Sequence, residues 1–372
     1  MGNIIKHIYR KVVPAKLRDV IFKLRTKMLY IIFRQIKKYV IMMFNKQWYS
    51  MDYEQPVKLG KLNPNIIFYI IGYYHDENFY YQGILSTWID FMPQILYALQ
   101  KGYIPIIDMK NNWKPMMLDE TNREMINAWD VYFNQPTQKY DLKDVLQSRN
   151  VVFAKNSRLP LSYDIQWANL PLSDSDFKIC KQMMKYGNLS STIVDAGDLF
   201  INKNIPVGKK ILGVSFRRSF ERHHYFDSAI TPEGTHIVRM TLFGLIAEIK
   251  KFIQKFNYDL IFFTADDRES YAVVKQEFGE KCIFVCRPVG HYFENNKPVP
   301  LDRVDIVTCE FNKRENDVML RGIEYMTDIY ILSKCNSLLS AGGSADLFAY
   351  ILNDKKYEHI IQINCRKEQN KI

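Results

Sequence analysis

A chain of 372 residues, 47% hydrophobic and 24% charged, is long enough to bury more than one ordinary core, and its composition excludes wholesale disorder. Its formal charge of +11 sits at one end: residues 1–46 carry twelve Lys or Arg against the single acid Asp19, and the remainder carries 39 basic and 39 acidic side chains. A neutral body argues against a nucleic-acid groove, which brings its own excess of Lys and Arg across the folded surface.

The basic segment 1–46 alternates apolar clusters (Ile21, Phe22, Leu24, Met28 to Phe33) with Lys23, Arg25, Lys27, Arg34, Lys37 and Lys38. It reads as an amphipathic helical tail suited to lying on an anionic membrane surface or to packing on the body. The apolar stretch from Met28 to Phe44 is broken near its middle by Arg34, Lys37 and Lys38, which disfavours a membrane span. No uninterrupted apolar core leads to a small-residue cleavage site, and Lys6 stands where a myristoylation signal wants Ser or Thr. The expected location is therefore cytoplasmic, peripheral on the inner face of a membrane. Six scattered cysteines (Cys180, Cys282, Cys286, Cys309, Cys335, Cys365) lack zinc-knuckle spacing and read as buried free thiols in a reducing compartment.

Beyond the tail, residues 65–72 (NIIFYIIG) form an apolar run of the kind buried on both faces of a parallel sheet. A polar loop follows, then a helix predicted over Ile84 to Gln100 and closed by Gly102, then a strand over Tyr103 to Met109, together a βαβ unit. The stretch from Asn111 to Arg149, polar and aromatic with Trp113 and Trp129, is expected to be an irregular insertion facing an acceptor. Leu172 to Gly187 reads as a helix started by Ser173. Asp174-Ser175-Asp176 has the letters of a metal-binding Asp-x-Asp, but it falls in that helix's cap and first turn.

The pattern restarts after the break at Lys203 to Lys210. Strands are predicted at Ile211 to Phe216, Leu260 to Thr264, Cys282 to Cys286 and Ser337 to Ser340; helices at Leu242 to Phe256, Ser270 to Phe278 and Arg321 to Ser333. The alternation predicts doubly wound α/β architecture in two domains, 47–207 and 208–372. Ligands bind such sheets at the carboxyl ends of the strands, so the residues after each strand carry the interest. Arg217 and Arg218 leave the first strand, and paired guanidiniums can grip a leaving diphosphate bidentately or form a surface ion pair. Thr264, Asp266 and Asp267 leave the second; the acids either bind ribose hydroxyls or a base edge, or cap the next helix. Gly342, Gly343 and Ser344 open a helix after the fourth, where bare backbone N–H groups make a phosphate cradle or the glycines serve a tight turn. No G-x-G-x-x-G follows an early strand, which counts against an NAD-dependent oxidoreductase.

In this order and spacing, the three segments resemble the motif set of the α1,6-fucosyltransferases, and more loosely of the protein O-fucosyltransferases, over residues 211–352. The resemblance implies a GT-B-like fold of two Rossmann-like domains facing a cleft, and an inverting, metal-independent glycosyltransferase with no cofactor beyond its donor, GDP-fucose or another nucleotide-diphosphate sugar. By it, Arg217 holds the donor β-phosphate with Arg218 beside it, Asp266 and Asp267 are the family's acidic pair, Asp328 reads the guanine edge, and Ser344 is the serine of the final turn. Gln82 and Gly83 occupy the place of the family's first donor loop. The implied partners are the donor and a glycan or lipid-linked acceptor, in surface polysaccharide assembly. Two departures stand out: Ser215 replaces the family's His two residues before the first arginine, and Phe220 interrupts the acid expected after the pair. Glu221, His223 or His224 is left to supply the general base that takes the acceptor proton. The alternatives are a donor with another base, or a catalytically silent carbohydrate-binding scaffold on the same fold.

Overall fold

The computed structural model describes residues 56–72, 83–110, 118, 122, 125–154, 170–216, 236–237, 242–285, 293–294, 297–298, 314–340, 343–362 and 366–367. Residues 56–372 make up one compact unit. The basic segment 1–46 lies outside the described residues.

The unit is α/β with two parallel sheets. The first is built by β1 (Leu62–Ile71), α1 (Ile84–Gln100), β2 (Ile104–Ile107), α2 (Ala128–Tyr132), α3 (Leu142–Val145) and β3 (Ser148–Phe153). Its order is β2-β1-β3, and both pairings are parallel. β1 is exposed at Leu62 and buried from Phe68 to Ile71, so its Ile-rich end fills both faces of the sheet. α1 has the predicted bounds; Leu85, Trp88, Phe91, Met92 and Ile95 form its buried stripe, and the chain leaves it through Gly102 at φ 74°. Two more helices, α4 (Asp174–Met184) and α5 (Ser191–Asn204), lead to the turn at 206–208. Every strand of the first sheet precedes that turn and every strand of the second follows it.

The second sheet comes from β4 (Ile211–Ser215), α6 (Leu242–Phe256), β6 (Leu260–Thr264), α7 (Arg268–Phe278), β7 (Cys282–Ile283), α8 (Asp317–Leu332), β10 (Ser337–Ser340), α9 (Ser344–Asn353) and β11 (His359–Gln362). Its order is β11-β10-β4-β6-β7, parallel throughout. Two short antiparallel pairs stand apart: β5 (His236–Ile237) with β12 (Arg366–Lys367), and β8 (Phe293–Glu294) with β9 (Lys297–Pro298). All residues of β4 and β10 are buried, as expected of central strands covered by helices on both faces.

One apolar core runs from Trp88, Phe91, Trp129 and Tyr132 of the first half to Ile329, Leu332 and Phe348 of the second. α8 lies against α5 and α2 at two glycine contacts. A Cβ on Gly197 would fall 2.3 Å from the Tyr330 ring, and one on Gly322 would fall 2.2 Å from the Tyr132 hydroxyl oxygen. Only hydrogen fits at either place.

Several expectations are corrected by this packing. Trp129 faces no acceptor; it is fully buried, its ring 5.7 Å from that of Phe91 and 4.5 Å from that of Phe133, with the indole N–H donating to the Asn134 carbonyl at 3.1 Å. β3, α5 and β11 are elements that periodicity did not mark. β3 has only three apolar residues behind a polar Ser-Arg-Asn, β11 only two, and α5 carries Gly197 and two exposed acids in a weak apolar stripe. α8 starts four residues before the predicted Arg321, and β7 stops at Ile283 instead of reaching Cys286.

Candidate functional site

The strand order of the second sheet fixes where a ligand can enter. From β4 the chain steps to β6 and β7 on one side, then crosses over to β10 and β11 on the other. In open α/β sheets such a switch in strand order is where ligands bind, here at the carboxyl ends of β4 and β10. Register aligns that edge: Ser215 pairs with Thr264 on one side and with Ser340 on the other. Three hydroxyl residues thus end three adjacent strands where the apolar runs stop, and all three are buried.

Two of these hydroxyls are held by buried carboxyl groups. Thr264 Oγ1 donates to Asp328 Oδ2 at 2.8 Å, and Ser340 Oγ donates to Asp346 Oδ2 at 2.7 Å. Asp328 is 1% exposed and Asp346 2% exposed, so both bonds lie in a low-dielectric interior where they are strong and costly to lose. The turn after β6 is fixed by Tyr271, whose hydroxyl accepts from the Ala265 N–H at 3.0 Å and donates to the Ala265 carbonyl at 3.2 Å. Asp267 is the N-cap of α7: Oδ1 accepts from the Ser270 N–H at 3.0 Å and Oδ2 from the Ser270 hydroxyl at 2.5 Å.

On the β10 side, Gly343 takes φ 154° and ψ −179°, a conformation essentially confined to glycine. Among the described residues nothing lies within 4 Å of where its Cβ would be, no side chain caps α9 at this residue, and the same two statements hold for Gly83 at the start of α1. The two helices pack on each other along a small apolar seam lined by Leu85, Trp88, Ile89, Ser344, Leu347, Phe348 and Ile351, with the rings of Trp88 and Phe348 edge to face at 5.0 Å. Each of these two packed helices starts on a glycine and offers the positive end of its dipole there.

Of the predicted residues, Ser215 ends β4, Asp328 bonds Thr264 at the end of β6, Asp266 and Asp267 follow β6, Gly343 and Ser344 open α9 after β10, and Gly83 opens α1 in the first half. Gln82, Arg217, Arg218, Glu221, His223, His224 and Gly342 lie outside the described residues; the backbone ahead of Arg217 is described as far as Phe216, whose N–H donates to the Thr264 carbonyl at 2.9 Å. Asp346 and Tyr271 were missed. An acid in the first turn of a helix that opens on glycine was the available mark for Asp346; Tyr271 left none, because its role depends on the helix folding back over the strand end.

No family model matches the chain, and no curated protein sequence matches it. Among solved structures it is similar to the NodZ α1,6-fucosyltransferase soaked with GDP-fucose (13% identity, TM-score 0.42, covering 77% of this chain and 92% of that one). It is similar also to the fucosyltransferase NodZ from Bradyrhizobium (14%, TM-score 0.42, 80% and 96%) and to POFUT1 in complex with GDP (9%, TM-score 0.34, 80% and 74%). These structural neighbours are fucosyltransferases.

Other titratable groups fall away from this region. Among the described residues, Cys180, Cys282 and Cys335 are free and buried, and no group of three or more His, Cys, Asp or Glu could hold a metal ion. Burial pushes the thiols of Cys180 and Cys282 up to about 12 and that of Cys335 higher still, so none is a nucleophile near neutrality. Asp174 pairs with Lys355, and Ser173 accepts from the Asp176 N–H, so the Asp-x-Asp letters are a helix start. At the carboxyl end of β2, Asn127 and Gln135 both donate to the Ile107 carbonyl, at 2.8 and 2.9 Å, and Gln135 donates also to Asp130 at 2.7 Å. Surrounding protein pushes the Asp130 carboxyl up to about 6, hydrogen bonds from Gln135 and Asn127 pull it back, and the nearby charge of Asp108 adds to the rise.

Proposed function

We propose that this chain is a glycosyltransferase that takes a nucleotide-diphosphate sugar, with fucose from GDP-fucose as the first assignment. The observation that carries the reading is the aligned edge Thr264–Ser215–Ser340 at the switch in strand order, flanked by the Gly343 start of α9. Arg217 and Arg218 follow that edge directly in sequence. Guanidinium and backbone amide donors suit a pyrophosphate better than any neutral ligand.

In the proposed reaction the acceptor hydroxyl oxygen attacks the anomeric carbon as the bond to the diphosphate oxygen breaks, in a single displacement that inverts the anomeric centre. The acceptor proton passes to a base drawn from Glu221, His223 or His224. Arg217, with Arg218 beside it, and the N–H groups of the turn at 342–344 stabilise the charge developing on the departing diphosphate, so no metal is required. Asp328 and Asp346 act on this account by holding the hydroxyls of Thr264 and Ser340, and so the two strand ends beside Ser215. The proposed setting is peripheral on the cytoplasmic face of a membrane, with segment 1–46 on the lipid and a glycan or lipid-linked acceptor for surface polysaccharide. The test is Arg217→Ala, which is expected to abolish diphosphate binding; turnover close to that of the parent would remove Arg217 from the mechanism.

A further inference from the structure

Eight large hydrophobic side chains stand exposed among the described residues, and three of them, Val57, Leu59 and Leu62, fall within six consecutive positions at 44%, 42% and 45% exposure. The other five are scattered along the chain. Exposed apolar residues gathered in one short segment are a starting point for an interaction surface, whereas single ones carry no message.

These side chains are held out by a fixed backbone. Val57 and Val151 exchange both main-chain hydrogen bonds at 2.8 and 3.0 Å, the N–H groups of Leu59 and Gly60 reach the Ser148 carbonyl at 3.2 and 2.9 Å, and the Leu62 N–H reaches the Gln147 carbonyl at 3.0 Å. Gly60 lies so close to β3 that a Cβ there would fall 2.0 Å from the Gln147 carbonyl oxygen. The segment is strapped along the edge of β3, and its apolar side chains are displayed by that strap.

Its charge identifies the occupant. Lys58 and Lys61 alternate with the apolar residues, both are exposed, and neither has an ion-pair partner among the described residues. Ten residues, 47–56, separate the strap from the part of the sequence that holds twelve basic residues and one acid in 46 positions, and they carry two acids, Asp52 and Glu54. Apolar side chains that enter the acyl boundary, with lysines level with anionic headgroups, form the chemistry of a peripheral membrane contact.

We infer that the strap 57–62 is a second membrane-docking element, on the folded body itself, which orients the protein against an anionic bilayer. The inference rests on the peripheral reading of segment 1–46 and adds a fixed point to it. With Leu62 at the amino end of β1, the strap lies at the opposite end of that strand from the edge leading to α1 and Gly83. Docking there leaves the carboxyl edge of the first sheet facing away from the lipid.

The test compares three full-length proteins for sedimentation with vesicles of phosphatidylglycerol and phosphatidylethanolamine and with purely zwitterionic vesicles: the parent, Val57→Ser/Leu59→Ser/Leu62→Ser, and a variant with Lys and Arg of 1–46 replaced by Gln. The strap variant is expected to lose about tenfold or more in partition to the anionic vesicles while keeping the parent's circular dichroism melt. Lys58→Glu/Lys61→Glu, which leaves the apolar residues in place, is expected to bind more weakly and with less dependence on salt. If the tail variant loses binding and both strap variants keep the parent's partition, the strap inference is overturned and the tail reading stands. If the parent does not bind anionic vesicles, both fall. A parent that is dimeric by light scattering and turns monomeric on the strap substitutions would assign the surface to a second copy and overturn the inference too.

Discussion

Replacing Thr264 by Val removes one hydroxyl and keeps the shape of the side chain, so its effect isolates the bond to Asp328. That bond is 2.8 Å long and both partners are buried, Asp328 at 1% exposure and Thr264 at 8%. A hydrogen bond contributes about 0.5 to 1.5 kcal/mol net, and taking a donor away from a buried acceptor costs about 1 to 3 kcal/mol. Thr264→Val is therefore expected to destabilise the protein by about 2 kcal/mol, read as a lower urea midpoint at unchanged slope. Asp328→Asn alone is expected to destabilise as well, and the double variant by less than the sum, with a coupling of about 1 kcal/mol or more. Because Thr264 is in register with Ser215, the single variant is also expected to weaken diphosphate binding. Parent-like stability in Thr264→Val, or strict additivity in the double variant, would refute the claim that Asp328 fixes the end of β6.

Gly322→Ala places a methyl 2.2 Å from the Tyr132 hydroxyl oxygen and is expected to cost about 1 to 3 kcal/mol, most of it relieved in a Tyr132→Leu background and measurable by thermal unfolding. Asp130, its carboxyl pushed up to about 6 from 3.8, binds its proton more tightly folded than unfolded. Its contribution to stability is present below about pH 3.8 and is lost as pH rises through 6. Asp130→Asn is expected to flatten the stability curve across that window and to be more stable than the parent at pH 7, with solvent at this exposed residue moderating the size of the effect. A parent-like slope between pH 4 and 6 in denaturant titrations would count against that assignment.

Most of the second sheet was legible because its strands are apolar runs cut off sharply by polar residues. Leu260–Thr264 and Ser337–Ser340 have the predicted bounds, and so does the strongly amphipathic helix Leu242–Phe256. β3 and β11 escaped because an edge strand with two or three apolar residues leaves no run to detect. The strand ends at Thr264 and Ser340 were legible as positions, and what their side chains bond was not. Asp267 was weighed both as ligand and as cap, and the structure uses both of its carboxyl oxygens on Ser270. The partners of Asp328 and Asp346 could not be read at all, since each bond joins a helix to a strand end that only folding brings close. Trp129 went wrong for the same reason: Phe91 reaches it only through the packing of α1 on α2.

The central claim, a diphosphate-gripping crevice at the carboxyl edge of the second sheet, is tested most directly by calorimetric titration of the full chain with GDP, UDP, CDP and ADP. The account predicts saturable binding with GDP preferred. Preference for UDP would contradict the donor assignment, and no binding of any of the four would contradict the site.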